Sequence, residues 1–419
     1  LGPGSTILDG ITVKLRDQAR TPDGGWMTPS SYQAGELAVI SVPDSIVINE
    51  IMYQHAPQFL PTGVTDHAEE WIELHNRSAA AVSLNGWKLR GGIDFDFGAV
   101  QIPAQGYLVV AADPTALAAK YPAATITGPY LGTLSNKGGT VRLEDVAGNP
   151  ADEVRYETSG RWHQRADGRG SSLELKDPEA DNAVPESWEA SDESGKSVWQ
   201  TFTWTGTGAA FAGTNNPTLY NEFILGLLND GECLVDDLSV KEVNQGNREL
   251  IQNGSLSAGN AATWRLLGNH GTHGLSLVVD DPAAPGNKVL KITATGATEH
   301  MHNHVETTLK AGASFVPLSA SSTYTISFRA RWVSGCPRLN ARLYFNRLAK
   351  TVLLPMPENT GTPGAPNSRG IANLGPSLTT LQHSPAVPAA GTSATVRIRA
   401  TDPDGMGPVS LKWRVDGAD

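Results

Sequence analysis

The sequence predicts an all-β chain built as tandem β-sandwiches, and three observations carry that reading. Between Ile46 and Pro178, apolar and polar residues alternate in short runs: Ile46 and Ile48, then Trp71, Glu73 and His75 against Ile72 and Leu74, then Val141 and Leu143 against Arg142 and Glu144. Period-two alternation broken by Gly, Pro, Asn and Asp is what half-buried strands require. Composition agrees, because 44 Gly and 27 Pro among 419 residues suit a turn-dense β-protein. Helical periodicity is nearly absent, with Thr115 to Lys120 (TALAAK) reading as a short helix. The length exceeds one ordinary core, and about 100–200 residues per domain predicts several domains.

Charge and cysteine content narrow the function classes. The net charge of −11 comes without any cluster of Lys and Arg, which argues against a nucleic-acid partner held by phosphate contacts. A solvated acidic surface is the plain reading. No run of 18 apolar residues exists, so nothing is predicted to insert in a membrane. Leu1 to Ser5 carry no signal-peptide pattern, and the chain reads as beginning inside a longer protein. Two cysteines, Cys233 and Cys336, rule out a disulfide scaffold and leave two readings: one bridge if the protein is exported, or two buried thiols.

In chain order, residues 1–44 offer one alternating strand (Ile11, Val13, Leu15), a Pro-Asp-Gly-Gly turn and Trp26 at the start of a second strand. They resemble the closing strands of a fibronectin-like or chitobiase-terminal-like sandwich. Residues 45–178 follow with INEIMY, EEWIELHNRSAAAVSLNGWKLRGG, IPAQGYLVVAAD, LSNKGGTVRLED and ADGRGSSLEL. Trp71 and Trp87 supply large apolar area there, while Asn85-Gly86, Gly91-Gly92 and Pro103 to Gly106 supply turns. These motifs, in this order, resemble the bacterial lamin-tail domain, and the resemblance implies an immunoglobulin-like sandwich without catalytic residues.

Glu179 to Ser197 is acidic and polar and reads as a linker, with a boundary near residue 185. Beyond it, NEFILGLLNDGECLVDDLSVKEV and ELIQNGSLSAGNAATWRLLG resemble jelly-roll carbohydrate-binding modules with the closing strand placed before the opening segment. The expectation is a single permuted jelly roll within residues 179–358. The resemblance also implies a structural calcium, held by Asp237 with Asp236 from the closing strand; Ser257 stands where an opening-segment Glu is expected. Calcium needs six to eight oxygen ligands.

Histidine is unevenly spread. His270, His273, His300, His302 and His304 fall within 35 residues, and on a strand His300, His302, His304 and Glu306 share one face. Three uses follow: a transition-metal site with His270 as an outside ligand, a sugar groove combining Trp264, His270, His273, His302 and Trp332, or plain packing. Known enzyme signatures are missing. Gly195-Lys196-Ser197 lacks the rest of a phosphate loop and Asp167 to Gly170 the rest of a dinucleotide fingerprint. Neighbouring carboxylates such as Glu69-Glu70 and Asp236-Asp237 point to opposite faces of a strand, the wrong geometry for paired acid–base work.

Residues 359–370 (NTGTPGAPNSRG) read as an extended, mobile linker, and 371–419 as half of an immunoglobulin-like domain in which Val396, Ile398 and Ala400 alternate. The order of modules resembles large surface or secreted proteins of planctomycete-type bacteria, which often also carry a spore-coat CotH-like kinase domain. The expectation is a non-enzymatic fragment, extracellular or cell-surface, acting in adhesion, connection or glycan binding, with a glycan or a surface or matrix protein as partner. Two alternatives stand beside it: a subunit of a cell-envelope or matrix fibre, and a metal-dependent enzyme using the histidines.

Overall fold

The computed structural model describes residues 45–56, 63–208, 221–266, 274–297 and 304–402, with 405, 407, 408 and 410–412 beyond them. By contacts the chain divides into Leu1–Asp44, which lies outside the described residues, and Ser45–Asp419. Among its described residues the second unit is all-β apart from one helix and a few 3₁₀ turns.

The first sandwich contains β1 (Ile46–Met52), β2 (Trp71–Asn76), β3 (Val82–Ser83), β4 (Lys88–Gly91), β5 (Ile93–Asp96), β6 (Gln101–Ile102) and β7 (Tyr107–Ala111). The helix α1 (Pro114–Lys120) follows, then β8 (Ile126–Thr127), β9 (Leu131–Gly132), β10 (Gly139–Glu144), β11 (Pro150–Tyr156), β12 (Leu173–Leu175) and β13 (Trp188–Ala190). Its sheets run β13-β12-β1-β2-β7-β8 and β11-β10-β4-β5-β9. Between them lie Ile46, Ile48, Ile72, Leu74, Trp87, Val141, Leu143 and Trp188, the inward half of the alternation seen in the sequence. Gly91 shows why one turn needs glycine: its φ is +116° and a Cβ there would lie 2.0 Å from the Thr140 carbonyl oxygen.

The other face of the six-stranded sheet is buried too. Met52, Trp71, Val109, Ala111 and Leu117 form a second, small core, roofed by α1. Pro114 opens that helix and the Asp113 carboxylate accepts the N–H groups of Thr115 and Ala116. Trp71 therefore fills the outer face of the sheet rather than the sandwich interior.

The second sandwich contains β14 (Gln200–Thr207), β15 (Glu222–Leu227), β16 (Gly231–Glu242), β17 (Arg248–Glu249), β18 (Trp264–Arg265), β19 (Leu277–Asp281) and β20 (Ala284–Ala294). It continues with β21 (Val305–Thr308), β22 (Lys310–Ala311), β23 (Ser314–Phe315), β24 (Thr323–Gly335), β25 (Arg338–Leu343) and β26 (Leu348–Leu353). One sheet runs β14-β24-β16-β20-β19 with β17 beside β16, and the other β18-β21-β15-β25-β26. A single core between Phe223 and Leu354 joins them. Strands from both halves of this region thus fill one interior. Finally β27 (Ser377–Ser384) pairs with β28 (Thr395–Thr401) as a two-stranded hairpin. Leu378, Leu381, Val396 and Ile398 remain exposed on it.

Two boundaries differ from the sequence reading. Trp188, assigned to an acidic linker with a break near 185, sits on β13, is fully buried in the first core and donates its indole N–H to the Asn182 carbonyl oxygen at 2.8 Å. The acidic composition around it hid one apolar anchor, and burial of one large aromatic stabilises by about 2–3 kcal/mol. Residues 359–370 are not a free linker either; they lie against the first sandwich, as described next.

Candidate functional site

Two places gather buried polar side chains, and they are built in opposite ways. The first is a row of carboxylates on the outer face of the six-stranded sheet. Glu50 on β1 lies in register with Glu73 on β2 and Glu174 on β12, and all three are fully buried. Glu193 joins them from the loop after β13. What covers them is the strap Thr360 to Arg369.

Strap donors meet nearly every oxygen in the row. The Thr362 N–H donates to Glu50 at 2.9 Å, Gly364 N–H to Glu73 at 2.5 Å, Gly361 N–H to Glu193 at 2.9 Å and Arg369 N–H to Glu174 at 2.9 Å. Ser368 Oγ donates to Glu174 at 2.8 Å, Asn49 Nδ2 to Glu73 at 2.8 Å, and Ser172 Oγ also donates to Glu50. Asn367 Nδ2 ties the strap to the Leu175 carbonyl oxygen at 2.7 Å. Lys196 balances Glu193 at 3.0 Å and donates to the Gly361 carbonyl oxygen.

Three carboxylates side by side cannot all stay ionised when dry. Burial, with Glu73 and Glu174 adding to it, raises the Glu50 pKa well above the carboxylate range. Burial likewise pushes Glu73 up to about 8, against the bonds from Gly364 and Asn49. The geometry agrees: Thr362 Oγ1 lies 3.0 Å from Glu50 Oε2 and 2.9 Å from Glu174 Oε1. One hydroxyl proton serves one of these contacts, so the other needs a proton on a carboxyl group.

The second place is a cleft of about 1000 Å³ between the sandwiches. One wall carries His55, Glu69, Ala116 and Lys120, the other Arg338, Val352 and Leu353. Lys120 pairs with Glu69 at 2.5 Å. His55 is only 8% exposed, yet among the described residues neither ring nitrogen has a hydrogen-bond partner. Burial lowers its pKa to about 4, Glu69 opposing and Lys120 adding to the effect, so the imidazole is neutral at pH 7. Beside the cleft, Arg165 meets Glu232 at 2.7 Å, Gly335 N–H donates to the Arg169 carbonyl oxygen at 2.9 Å, and Gly170 packs against the Trp332 ring.

The residues singled out from sequence fall elsewhere. Trp264 and Trp332 are core side chains of the second sandwich whose indole N–H groups donate to the Asn253 and Gly335 carbonyl oxygens. They wall no groove, because alternation turns both of them inward. His270, His273, His300 and His302 lie outside the described residues. His304 precedes β21 and is buried, its Nδ1 accepting the Leu227 N–H at 3.0 Å, while Glu306 meets Arg265 at 2.5 Å. Cys233 and Cys336 are both buried thiols, not a bridge; Cys233 points into the core.

Asp236 and Asp237 correct the expectation that neighbours face apart. A bulge with Asp237 at φ +52° breaks the alternation. Both carboxylates reach one guanidinium, Arg329, at 2.6 Å and 3.0 Å, and Asn287 donates to Asp236 at 3.0 Å. This set does not fit a calcium ion, since Arg329 already supplies the positive charge among the oxygens. Among the described residues no group of three or more His, Cys, Asp or Glu side chains is arranged to hold a metal ion. Nor is any helix among them long and apolar enough to cross a membrane.

The fold and these sites define a protein of packed β-sandwiches whose buried charges are held by its own chain. Within it, residues 41–158 match the Lamin Tail Domain family, an immunoglobulin-like β-sandwich and a structural or binding module. No curated protein matches the chain. Two solved structures of the Amycolatopsis orientalis exo-chitosanase CsxA, one a complex with PNP-β-D-glucosamine, align at 11% and 10% identity over 69% of this chain, each with a TM-score of 0.15. The chain spans 26% of that enzyme's length, and a likeness this low carries nothing over to it.

Proposed function

We propose that this chain is a non-catalytic connector and adhesion module of an extracellular or cell-surface protein, with a glycan or another surface protein as its partner. The strap is the observation that supports this reading most directly. Leaving the second sandwich after Leu353, the chain returns to the first and fastens there through at least eight hydrogen bonds, so the two sandwiches resist separation as one body. A rigid spacer that presents a binding surface away from its anchor needs this property. The buried carboxylates support the same reading, since each is committed to holding the strap and none faces a reacting centre.

Single-molecule stretching tests the connector. Pulling between residues 45 and 402 is expected to give one high-force event that releases the strap before either sandwich unfolds. Separate low-force extension of the 360–369 segment would refute it. A glycan array probed with the full chain tests adhesion; absence of signal on every glycan removes that part and leaves the connector standing.

A further inference from the structure

We propose that the strap is a proton-operated latch: one proton held among Glu50, Thr362 and Glu174 fastens residues 360–369 to the first sandwich, and its loss to solvent frees the strap. The inference rests on the connector part of the proposed function and names what sets the strength of that connection.

Hydrogen positions carry the argument. Glu50 Oε1 accepts the Thr362 N–H at 2.9 Å and the Ser172 hydroxyl, while Thr362 Oγ1 stands 3.0 Å from Glu50 Oε2 and 2.9 Å from Glu174 Oε1. Glu174 meets only donors from the rest of the strap: Ser368 Oγ lies 3.0 and 2.8 Å from its two oxygens, and the Arg369 N–H donates at 2.9 Å. The arrangement closes when Glu50 Oε2 carries a proton and donates it to Thr362 Oγ1, whose own hydrogen then points to Glu174. Without that proton, two carboxylate oxygens compete for one hydroxyl hydrogen between residues that are both fully buried. A buried carboxylate oxygen left without a donor is strongly disfavoured, and opening the strap admits the water that solvates it.

The other charged groups around the row do not replace the proton. Glu73 on β2 and Glu174 on β12 flank Glu50, and both add negative charge. From the loop after β13, Lys196 pairs with Glu193 at 3.0 Å, and in the strap Arg369 pairs with Asp192 at 3.4 Å, so these two cations serve other acids. Tyr107 on β7 lies toward Glu73, and Tyr121 after α1 lies toward Glu50 and Glu193; burial raises both phenols, so each stays neutral. Tyr121 donates its hydroxyl to the Thr360 carbonyl oxygen. Burial, then Glu73 and Glu174, raises the Glu50 pKa, and burial raises Glu73 to about 8. Since folding raises both values, the closed strap is favoured below the usual carboxylate range and is lost as pH rises through about 8.

Hydrogen exchange of the full chain at pH 5 and about 8.5, corrected for intrinsic rates, tests the latch at the four amides bonded to the row, those of Gly361, Thr362, Gly364 and Arg369. Their protection is expected to fall about tenfold or more across that interval. In Glu50→Gln, whose side-chain amide donates to Thr362 Oγ1 as the proton did, it is expected to stay nearly level. Glu174→Gln brings a hydrogen to the same contact and serves if Glu50→Gln does not fold. Selective ¹³Cδ-glutamate NMR gives a second readout: the Glu50 carboxyl signal, assigned by its loss in Glu50→Gln, is expected to be protonated at pH 5 and to ionise as the amides lose protection. Three results would overturn the proposal: protection level with pH in the unmodified chain, an equally steep fall in Glu50→Gln, or a Glu50 carboxylate already ionised at pH 5. Stretching at the two pH values keeps the readings apart. A strap event of equal force at both rejects the latch and leaves the connector, whereas a strap event missing at pH 5 rejects the connector and leaves the latch to the exchange result.

Discussion

The carboxylate row and the cleft bury comparable polar chemistry, but only one of them is completed from within. At the row, Glu50, Glu73 and Glu174 would be intolerable alone, and the strap brings a backbone N–H to each of them and hydroxyls to Glu50 and Glu174. At the cleft, His55 is nearly as deeply buried, and among the described residues nothing hydrogen-bonds its ring nitrogens. Buried polar groups are ordinarily bonded, so the completed set reads as architecture, while His55 carries the cost of bonds left unmade. The two also respond to pH in opposite directions, because one buries acids and the other a base.

The largest effect expected from breaking this contrast is at Gly361. Its φ is +78°, and a Cβ would stand 2.7 Å from Glu50 Oε1 and 2.9 Å from the Trp71 ring. Gly361→Val is expected to lift the strap, uncover the row and cost on the order of 3 kcal/mol. Hydrogen exchange at residues 361–369, with the thermal midpoint, checks it; unchanged protection would mean that the strap contributes little.

Thr362→Val removes the hydroxyl shared by Glu50 and Glu174 and is expected to cost about 1–3 kcal/mol in chemical denaturation. His55→Phe sharpens the comparison by its sign. Replacing an unpaired imidazole with an apolar ring is expected to stabilise by about 1 kcal/mol in chemical denaturation. A loss of stability there would show that His55 is structurally satisfied.

A subtler effect is the pH dependence. Glu50 and Glu73 are raised in the folded state, so their contribution is complete below the unfolded carboxylate value and is lost as pH rises, for Glu73 through about 8. His55 is lowered to about 4, so its contribution is complete above the usual histidine value and is lost as pH falls toward 4. Exchange rates corrected for intrinsic pH effects are expected to show the strap loosening between pH 5 and about 8 and the His55 segment loosening in acid. Glu50→Gln is expected to flatten the first trend and leave the second. The smallest effect is expected at Thr203, exposed on β14, where Ala changes stability by about 0.5 kcal/mol or less.

Much of the fold was legible because it depends on local pattern. Alternation around Trp71 to His75 and Val141 to Glu144 marked strands, and TALAAK marked the helix that Pro114 opens. The sites were far less legible. Glu73 shares a strand face with Trp71 and His75, which hinted at burial of that face, but nothing nearby in sequence shows Glu50 and Glu174 beside it. The strap was misread because composition counts side chains, and half of its donors are backbone amides. His55 carried no signal at all, since its isolation depends on two walls that lie far apart along the chain.

The sequence by itself determined the β-class, the lamin-tail segment, the turns and which residues face inward, because side-chain period and backbone preference act within a few residues. Only the tertiary structure decided where the domains part, what covers the acidic row and which imidazole is left unpaired. Those outcomes come from contacts across hundreds of residues, such as Thr362 with Glu50. No local pattern encodes them, because the energy of a buried charge is set by whichever distant group the packed chain brings beside it.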